Sequence, residues 1–463
     1  MNYMNRTLSE TENFYHALLI NMELCAGCSH CMRVCPTEAI RIRDGKAVIR
    51  ENKCIDCGEC FRVCPSSAIQ VAEDDLATIK PFRHRIALIP SVFFGQFSRK
   101  LSHELICSAI LQLGFTEIYE IERTAGFLAE KQREYLQSGE CPNAAISAYC
   151  PAVLRLIQVK FPGLVDTIIP LKPPVDIAAL HVKKLLTDRG VPEEEIGLFY
   201  FTPCAAKIAA LKSPVGEEKS LITGVVNMNS VYNQVLTLIS QEGLRDKSPE
   251  AFPSPGKTGI LWALTHGEAR NIEGRALSID GIGNVIDFLE KLEDEDLGRI
   301  NFLELRACEQ SCAGGILVSG NRFLTAEKLY KQAAGMNELV KNSELTLDKA
   351  YLERHIRLSK IQPRSSLALD SDMQKAMEKM QRIRSLMSAL PGIDCGACGS
   401  PSCQALAEDI VKEEAEPYYC VFKPEYSSLG TMHYKDELYR MSMIWGKEKF
   451  SKIKKKGNDN DRE

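Results

Sequence analysis

The chain has 463 residues, 45% hydrophobic and 25% charged, with a net charge of −4, which fits about three soluble globular domains and gives no basic face for nucleic acid. It has no leading basic-then-apolar segment and no apolar run of bilayer length, so a cytoplasmic protein with no membrane contact is expected. Eighteen cysteines grouped in short clusters of so long a chain read as metal ligands in a reducing compartment rather than as disulfides.

After a polar N-terminal segment (1–20), residues 21–80 carry Cys25, Cys28, Cys31 and Cys35-Pro36, then the same spacing again at Cys54, Cys57, Cys60 and Cys64-Pro65. The repeat extends past the ligands, Thr37-Glu38-Ala39-Ile40 against Ser66-Ser67-Ala68-Ile69. This run resembles the α+β fold of bacterial two-cluster ferredoxins, in which three close thiolates hold three irons of one cubane and the other run lends the fourth. The resemblance implies one [4Fe–4S] cluster on Cys25, Cys28, Cys31 and Cys64, and a second on Cys54, Cys57, Cys60 and Cys35. Structural zinc has no use for such a repeated run of four.

Residues 81–365 alternate strand and helix. Strands are expected at 85–90, 117–121 and 196–201, and helices at 98–113, 124–137, 177–186, 231–239 and 285–292, with a further helix from Pro151 to near Pro162. Such alternation argues for an α/β domain of parallel sheets flanked by helices, whose ligands sit at the carboxyl ends of strands. Three cysteine motifs fall at such ends: Ser147-Ala148-Tyr149-Cys150-Pro151, Thr202-Pro203-Cys204-Ala205-Ala206-Lys207, and Glu304-Leu-Arg-Ala-Cys308-Glu-Gln-Ser-Cys312-Ala-Gly314-Gly315. In the last motif two thiols four apart follow the apolar run Ile300, Phe302, Leu303 and Leu305. Taken alone, that pair reads equally well as buried free thiols or as ligands.

The three motifs, in this order and behind a two-cluster ferredoxin, resemble the catalytic domain of [FeFe]-hydrogenases over roughly residues 85–365. The resemblance implies a cubane held by Cys150, Cys204, Cys308 and Cys312, with Cys312 bridging to a diiron subcluster that carries CO, cyanide and an azadithiolate. Pro203 and Lys207 match the second motif, where the lysine donates to a cyanide, and Glu304 matches the acidic residue before the third. The implied catalytic positions are Cys312, Lys207 and Tyr149.

Departures from the family pattern are numerous. The cysteine that passes protons is replaced by Tyr149, a phenol with an ordinary pKa near 10 and a poor relay at neutral pH. Val153 stands for a tryptophan, Thr202 for a methionine, Ala210 for a glutamate, and Glu309-Gln310-Ser311 for Pro-Gly-Gly. Since groups around a cluster tune potential and proton supply, the pattern implies slowed proton delivery or a shifted potential, as in the sensory branches of the family. Glu130 and Glu134 are candidates for a replacement proton route, against the plainer reading of a solvated helix face. Cys107 reads as core and Cys141 as a loop thiol, and His266 is a weak candidate for approach to the site.

A polar linker (366–372) precedes a small helical domain at 373–425, where Cys395, Cys398, Cys403 and Cys420 suit another cubane or a zinc ion. The Asp394-Cys-Gly-Ala-Cys-Gly-x-Pro-x-Cys403 stretch resembles the four-cysteine cluster domain of corrinoid and hydrogenase-linked proteins. The tail at 426–463 reads as a short docking helix with a disordered basic tip at Lys452–Lys456, to which no partner is assigned.

The expectation is therefore a hydrogenase or hydrogen sensor that interconverts H2 with protons and electrons. It would pass electrons through three [4Fe–4S] clusters to a redox partner such as ferredoxin, depend on hydrogenase maturation proteins, and perhaps answer to a signalling partner. The alternatives are a conventional metabolic hydrogenase and a non-catalytic iron–sulfur carrier or assembly protein lacking the diiron unit.

Overall fold

A computed structural model describes residues 14–140, 144–241, 252–253, 255–294, 298–336, 348–364, 369, 372–422 and 434–449. Cys141, most of the linker and the Lys452–Lys456 run lie outside these residues. The chain divides into two compact units, one of residues 1–17 and 72–363, the other of residues 18–71 and 364–463.

The second unit joins two distant stretches of chain. Its ferredoxin-like part has two antiparallel pairs, β1 (Leu18–Ile20) with β4 (Ile69–Val71) and β2 (Ile40–Arg43) with β3 (Lys46–Ile49). Short helices His30–Arg33 and Glu59–Val63 follow the cysteine loops. The sequence repeat is a backbone repeat as well. Gly27 and Asp56, the residues before Cys28 and Cys57, have φ of +60° and +52°, and Glu38 and Ser67 have +51° and +52°. Left-handed residues let each cysteine loop curl around a centre rather than extend.

From the other end of the chain come the helices Met373–Ala389, Cys403–Val411 and Tyr434–Trp445. Asp372 caps the first by accepting the N–H groups of Gln374 and Lys375, and Ser402 caps the second through Ala405 N–H at 3.0 Å. The last helix, in the tail, is docked, with Asp44 and Gly45 N–H donating to the carbonyls of Met443 and Ile444.

In the first unit β5 (His84–Ile89), β6 (Glu117–Glu120), β8 (Ile196–Thr202) and β9 (Gly224–Asn227) form a parallel sheet in the order β6-β5-β8-β9. A second parallel sheet places β11 (Phe302–Arg306) between β10 (Ala276–Asp280) and β7 (Ala145–Ile146). Helices flank both, as strand–helix alternation demands. β8 and β11 are buried along their whole length, so they read as continuous strands rather than alternating ones.

The expected helices are present with shifted ends. The one expected from residue 98 begins at His103, because Ser102 Oγ accepts Leu105 N–H at 3.1 Å and fixes the start. Those expected at 177–186 and 231–239 extend to Pro174–Asp188 and Met228–Ser240, led in by Pro174 at the first turn and by the Asn227 cap. β9 and β10 were not among the expected strands. β9 has four residues, and β10 is half-buried throughout with no alternation of burial to mark it.

Candidate metal centres

Within the second unit the cysteines form three groups. Cys31 is pushed up to about 12 by burial first and then by Cys28, Cys25 and Cys64, which places the Cys64 of one run beside the first three thiols of the other. Cys35, Cys54, Cys57 and Cys60 together line one cavity. Burial and the nearby Cys35 and Cys60 push Cys57 well up as well. Cys395, Cys398, Cys403 and Cys420 line a third cavity.

The chemistry of these donor sets fits iron–sulfur clusters. Buried thiols crowded together cannot ionise side by side unless a cation replaces their protons. Backbone donors are already aimed at sulfur: Ala39 N–H to Cys35 Sγ at 3.1 Å, Ala68 N–H to Cys64 Sγ at 3.2 Å and Ala47 N–H to Cys25 Sγ at 3.4 Å. Such N–H groups stabilise negative charge on a cluster.

In the first unit the motifs stand at three chain turns. Cys150 follows β7 and caps the helix Pro151–Lys160, and Cys204 follows β8 and caps Ala205–Lys212. Neither side chain bonds its own helix, so both sulfurs are left for another partner. Cys308 and Cys312 lie just beyond β11. Cys204 is pushed up to about 12 by burial, against Lys207, with Cys312 and Cys150 raising it further.

Close backbone packing holds the last two motifs together. Leu317 N–H donates to Pro203 O at 2.9 Å, and a Cβ on Gly315 would lie 2.3 Å from that oxygen, so only glycine fits there. Between Cys308 and Cys312, Gln310 and Ser311 have φ of +61° and +53°. These residues adopt a left-handed backbone without being glycine, at about 1–2 kcal/mol each. Asp280 offsets part of this by accepting Gln310 N–H at 2.9 Å.

Around Cys312 the side chains form a buried polar nest. Tyr149 Oη lies 3.3 Å from Cys312 Sγ, and Lys207 Nζ donates to the same sulfur at 3.8 Å and to Tyr200 Oη at 3.2 Å. Arg306 stacks on the Tyr149 ring at 3.7 Å, and the Lys207 ammonium lies 4.6 Å from that ring's centre. Burial, then Cys312, lifts Tyr149 well above the usual phenol range. Burial alone would lower Lys207, but Cys312, Tyr149, Tyr200 and Cys204 hold it well above its usual value and keep it charged.

Arg306 is itself clamped by Glu268 at 2.8 Å and Glu304 at 3.3 Å, all three being 2% exposed or less. Glu304 also accepts the N–H groups of Glu268 and Ala269 at 2.9 Å. Glu268 accepts from Ser147 Oγ and Gln132 Nε2, and Ser147 Oγ in turn accepts Tyr149 N–H. Sequence reasoning found Glu304, Lys207 and Tyr149 but missed Arg306, Glu268 and Gln132. The available signal was Glu304 and Arg306 two apart in an apolar strand, hence on one buried face.

Other candidates lie elsewhere. Glu130 pairs with Lys349 and Glu134 with Lys131, both carboxylates on the exposed helix face, so they offer no replacement proton route. His266 is exposed. Cys107 is fully buried among Phe93, Phe199 and Val231 as core. Among the described residues no helix is long and apolar enough to cross a membrane.

Comparison with known proteins agrees with these groupings. Residues 84–244 match the family model described as iron only hydrogenase large subunit, C-terminal domain. Residues 17–65 match a 4Fe-4S dicluster domain and residues 390–422 an Fe-S cluster domain. Solved structures with similarity to this chain include the [FeFe]-hydrogenase HydA(deltaEFG), at 12% identity and a TM-score of 0.48, aligned over 62% of this chain and 98% of that one. A variant of [FeFe]-hydrogenase HydA1 from Chlamydomonas reinhardtii is similar over the same shares at 12% identity and a TM-score of 0.46. With ferredoxin-like and four-cysteine modules on either side of the matched domain, the chain is an iron–sulfur protein of [FeFe]-hydrogenase type.

Proposed function

We propose that this protein performs or senses the reversible conversion of H2 to protons and electrons at a centre on Cys150, Cys204, Cys308 and Cys312. In this reading the other twelve ligand cysteines hold three [4Fe–4S] clusters that relay electrons to a redox partner such as ferredoxin. The observation that carries it is the convergence of strand-end thiols beneath a buried, charged Lys207 that reaches Cys312. No surface role needs a lysine held in that position.

A cubane suits the four thiols. For a diiron unit bridged through Cys312, the buried donors Lys207 Nζ and Arg306 Nη1, the latter without a protein partner, suit anionic inorganic ligands. When bound, that unit would supply the redox chemistry of hydrogen. The chain's own residues hold charge and exclude water. Lys207 keeps a fixed positive charge beside Cys312, and the Arg306, Glu268 and Glu304 cluster fixes the electrostatics behind Tyr149. Tyr149, raised well above the usual phenol range, retains its proton at neutral pH, which favours slow proton delivery and hence sensing over high turnover.

A second reading is favoured by the same tyrosine. Its hydroxyl touches the sulfur that would bridge, and the cavity bounded by Tyr149, Lys207 and Asp176 measures about 70 Å³, roughly two water molecules at about 30 Å³ each. That arrangement suits a domain that carries a cubane alone and transfers electrons.

An infrared spectrum of protein matured anaerobically with hydrogenase maturation proteins, before and after H2, separates the two. Bands in the CO and cyanide region that move with H2 support the hydrogen reading. Their absence from fully iron-loaded protein, beside a matured control that shows them, leaves the cubane-only reading.

A further inference from the structure

The second unit packs the C-terminal cysteine loop directly onto the ferredoxin-like part, on the side of its first cysteine run. Ile42 N–H donates to Gly399 O at 2.8 Å, and Trp445 Nε1 donates to Ala397 O at 2.9 Å. Arg43 Nη1 reaches the carbonyls of Gly399 at 2.9 Å and Cys398 at 3.4 Å. A buried ion cluster bolts the two parts together. Asp409 binds Arg41 at 2.5 Å and Arg43 at 2.8 Å, with Arg41 1% exposed. Lys53 with Glu408, and Ser402 with Glu38, add to the seam.

Two features give this seam a direction. Met32, next to Cys31 and 1% exposed, presses its methyl group on the loop between Cys395 and Cys398, since a Cβ on Gly396 would lie 3.1 Å from Met32 Cε. One apolar side chain therefore fills the space between the two cysteine loops. In addition, Cys395 is the one exposed cysteine among the described residues, whereas Cys398, Cys403 and Cys420 are buried. Beside it Ile393 is 55% exposed.

We propose that the C-terminal four-cysteine centre is the outer port of the electron relay, meeting a one-electron carrier protein at the Pro391–Cys395 loop and exchanging electrons across Met32 with the centre on Cys25, Cys28, Cys31 and Cys64. The inference rests on reading both cysteine sets as [4Fe–4S] centres. A single electron leaves the reduced carrier and enters the C-terminal centre, which returns to its oxidised state as the electron moves inward. No bond is made and no proton is required. Transient redox encounters bury little surface, so a small exposed loop is sufficient for docking.

The experiment uses the full-length, cluster-loaded protein. Stopped-flow spectra follow its reduction by a reduced two-cluster bacterial ferredoxin and, separately, by methyl viologen radical. Three proteins are compared: the parent, the Cys398→Ala/Cys403→Ala double variant, and Met32→Ala, which keeps every ligand. The double variant is expected to lose one cluster of iron and the fast phase with ferredoxin, while viologen still reduces the remaining clusters. Met32→Ala is expected to keep its iron and to show reduction of the C-terminal centre running ahead of the others. Electron paramagnetic resonance of the reduced parent should differ from the sum of the double variant's spectrum and that of an isolated cluster. Unchanged iron and sulfide in the double variant would sink the cluster reading itself. A drop in iron with ferredoxin reduction unchanged and spectra that simply add would overturn the port alone.

Discussion

The two units collect cysteines by opposite means. In the ferredoxin-like part, ligand geometry is written into a short loop: left-handed Gly27 and Asp56 curl each run, and an N–H four residues beyond Cys35 or Cys64 is aimed back at its sulfur. In the hydrogenase-like unit, Cys150, Cys204, Cys308 and Cys312 hang from β7, β8 and β11 in two different sheets. There the centre depends on everything that holds those strand ends in register. A local device tolerates distant damage, whereas an assembled one inherits the stability of its surroundings.

Breaking the ion cluster behind Tyr149 is the strongest test of that contrast. Arg306→Met leaves the Glu268 and Glu304 carboxylates buried without their cation, at a cost of about 3–5 kcal/mol. We expect the hydrogenase-like unit to melt at markedly lower denaturant and to lose the iron bound at Cys150, Cys204, Cys308 and Cys312. Iron on the ferredoxin-like and C-terminal cysteines should be retained. Uniform loss of iron from all four centres would contradict the division.

The same contrast explains what could be read in advance. The spacing of Cys25 through Cys64 needs no tertiary information, so the crossed sets lie together in the fold as the repeat implies. The strand-end motifs were visible because a Cys-Pro or Pro-Cys dipeptide after an apolar run marks a strand-to-helix turn. Invisible were Glu268 and Gln132, which meet Ser147 from elements far along the chain and carry no local pattern of their own. Also unforeseen was the union of residues 18–71 with the C-terminal end, since Asp409 looks like any helical carboxylate until Arg41 and Arg43 close on it.

A subtler probe of the assembled site is its response to pH. Burial raises Glu122 from 4.5 to about 7, against the pull of Ser91 N–H and Lys207, and its Oε1 has no protein partner. Between those values the folded protein holds a proton that the unfolded chain has released. Stability therefore falls as pH rises through the window, by about 1.4 kcal/mol per unit and about 3 kcal/mol in all, and levels off above it. Glu122→Gln should flatten that slope in urea titrations run from about pH 5 to about pH 8 beside the parent. The ferredoxin-like unit offers an internal control, because its unfolding should keep the same pH dependence in both proteins.

The smallest expected effect concerns the bond from Tyr149 to Cys312 at 3.3 Å. A phenol donating to a cluster sulfur favours the reduced, more negative state. Tyr149→Phe removes the donor while Arg306 can still stack on the ring. In protein carrying only the cubane, a loss of about 1 kcal/mol should lower that cluster's potential by on the order of 40 mV. The clusters of the other unit should not move, since their sulfurs take their donors from their own loops. If the potential at Cys312 stays where it was, the hydroxyl serves only as packing against the sulfur. The field there would then be set by Lys207, whose replacement by methionine should shift the same potential in the same direction.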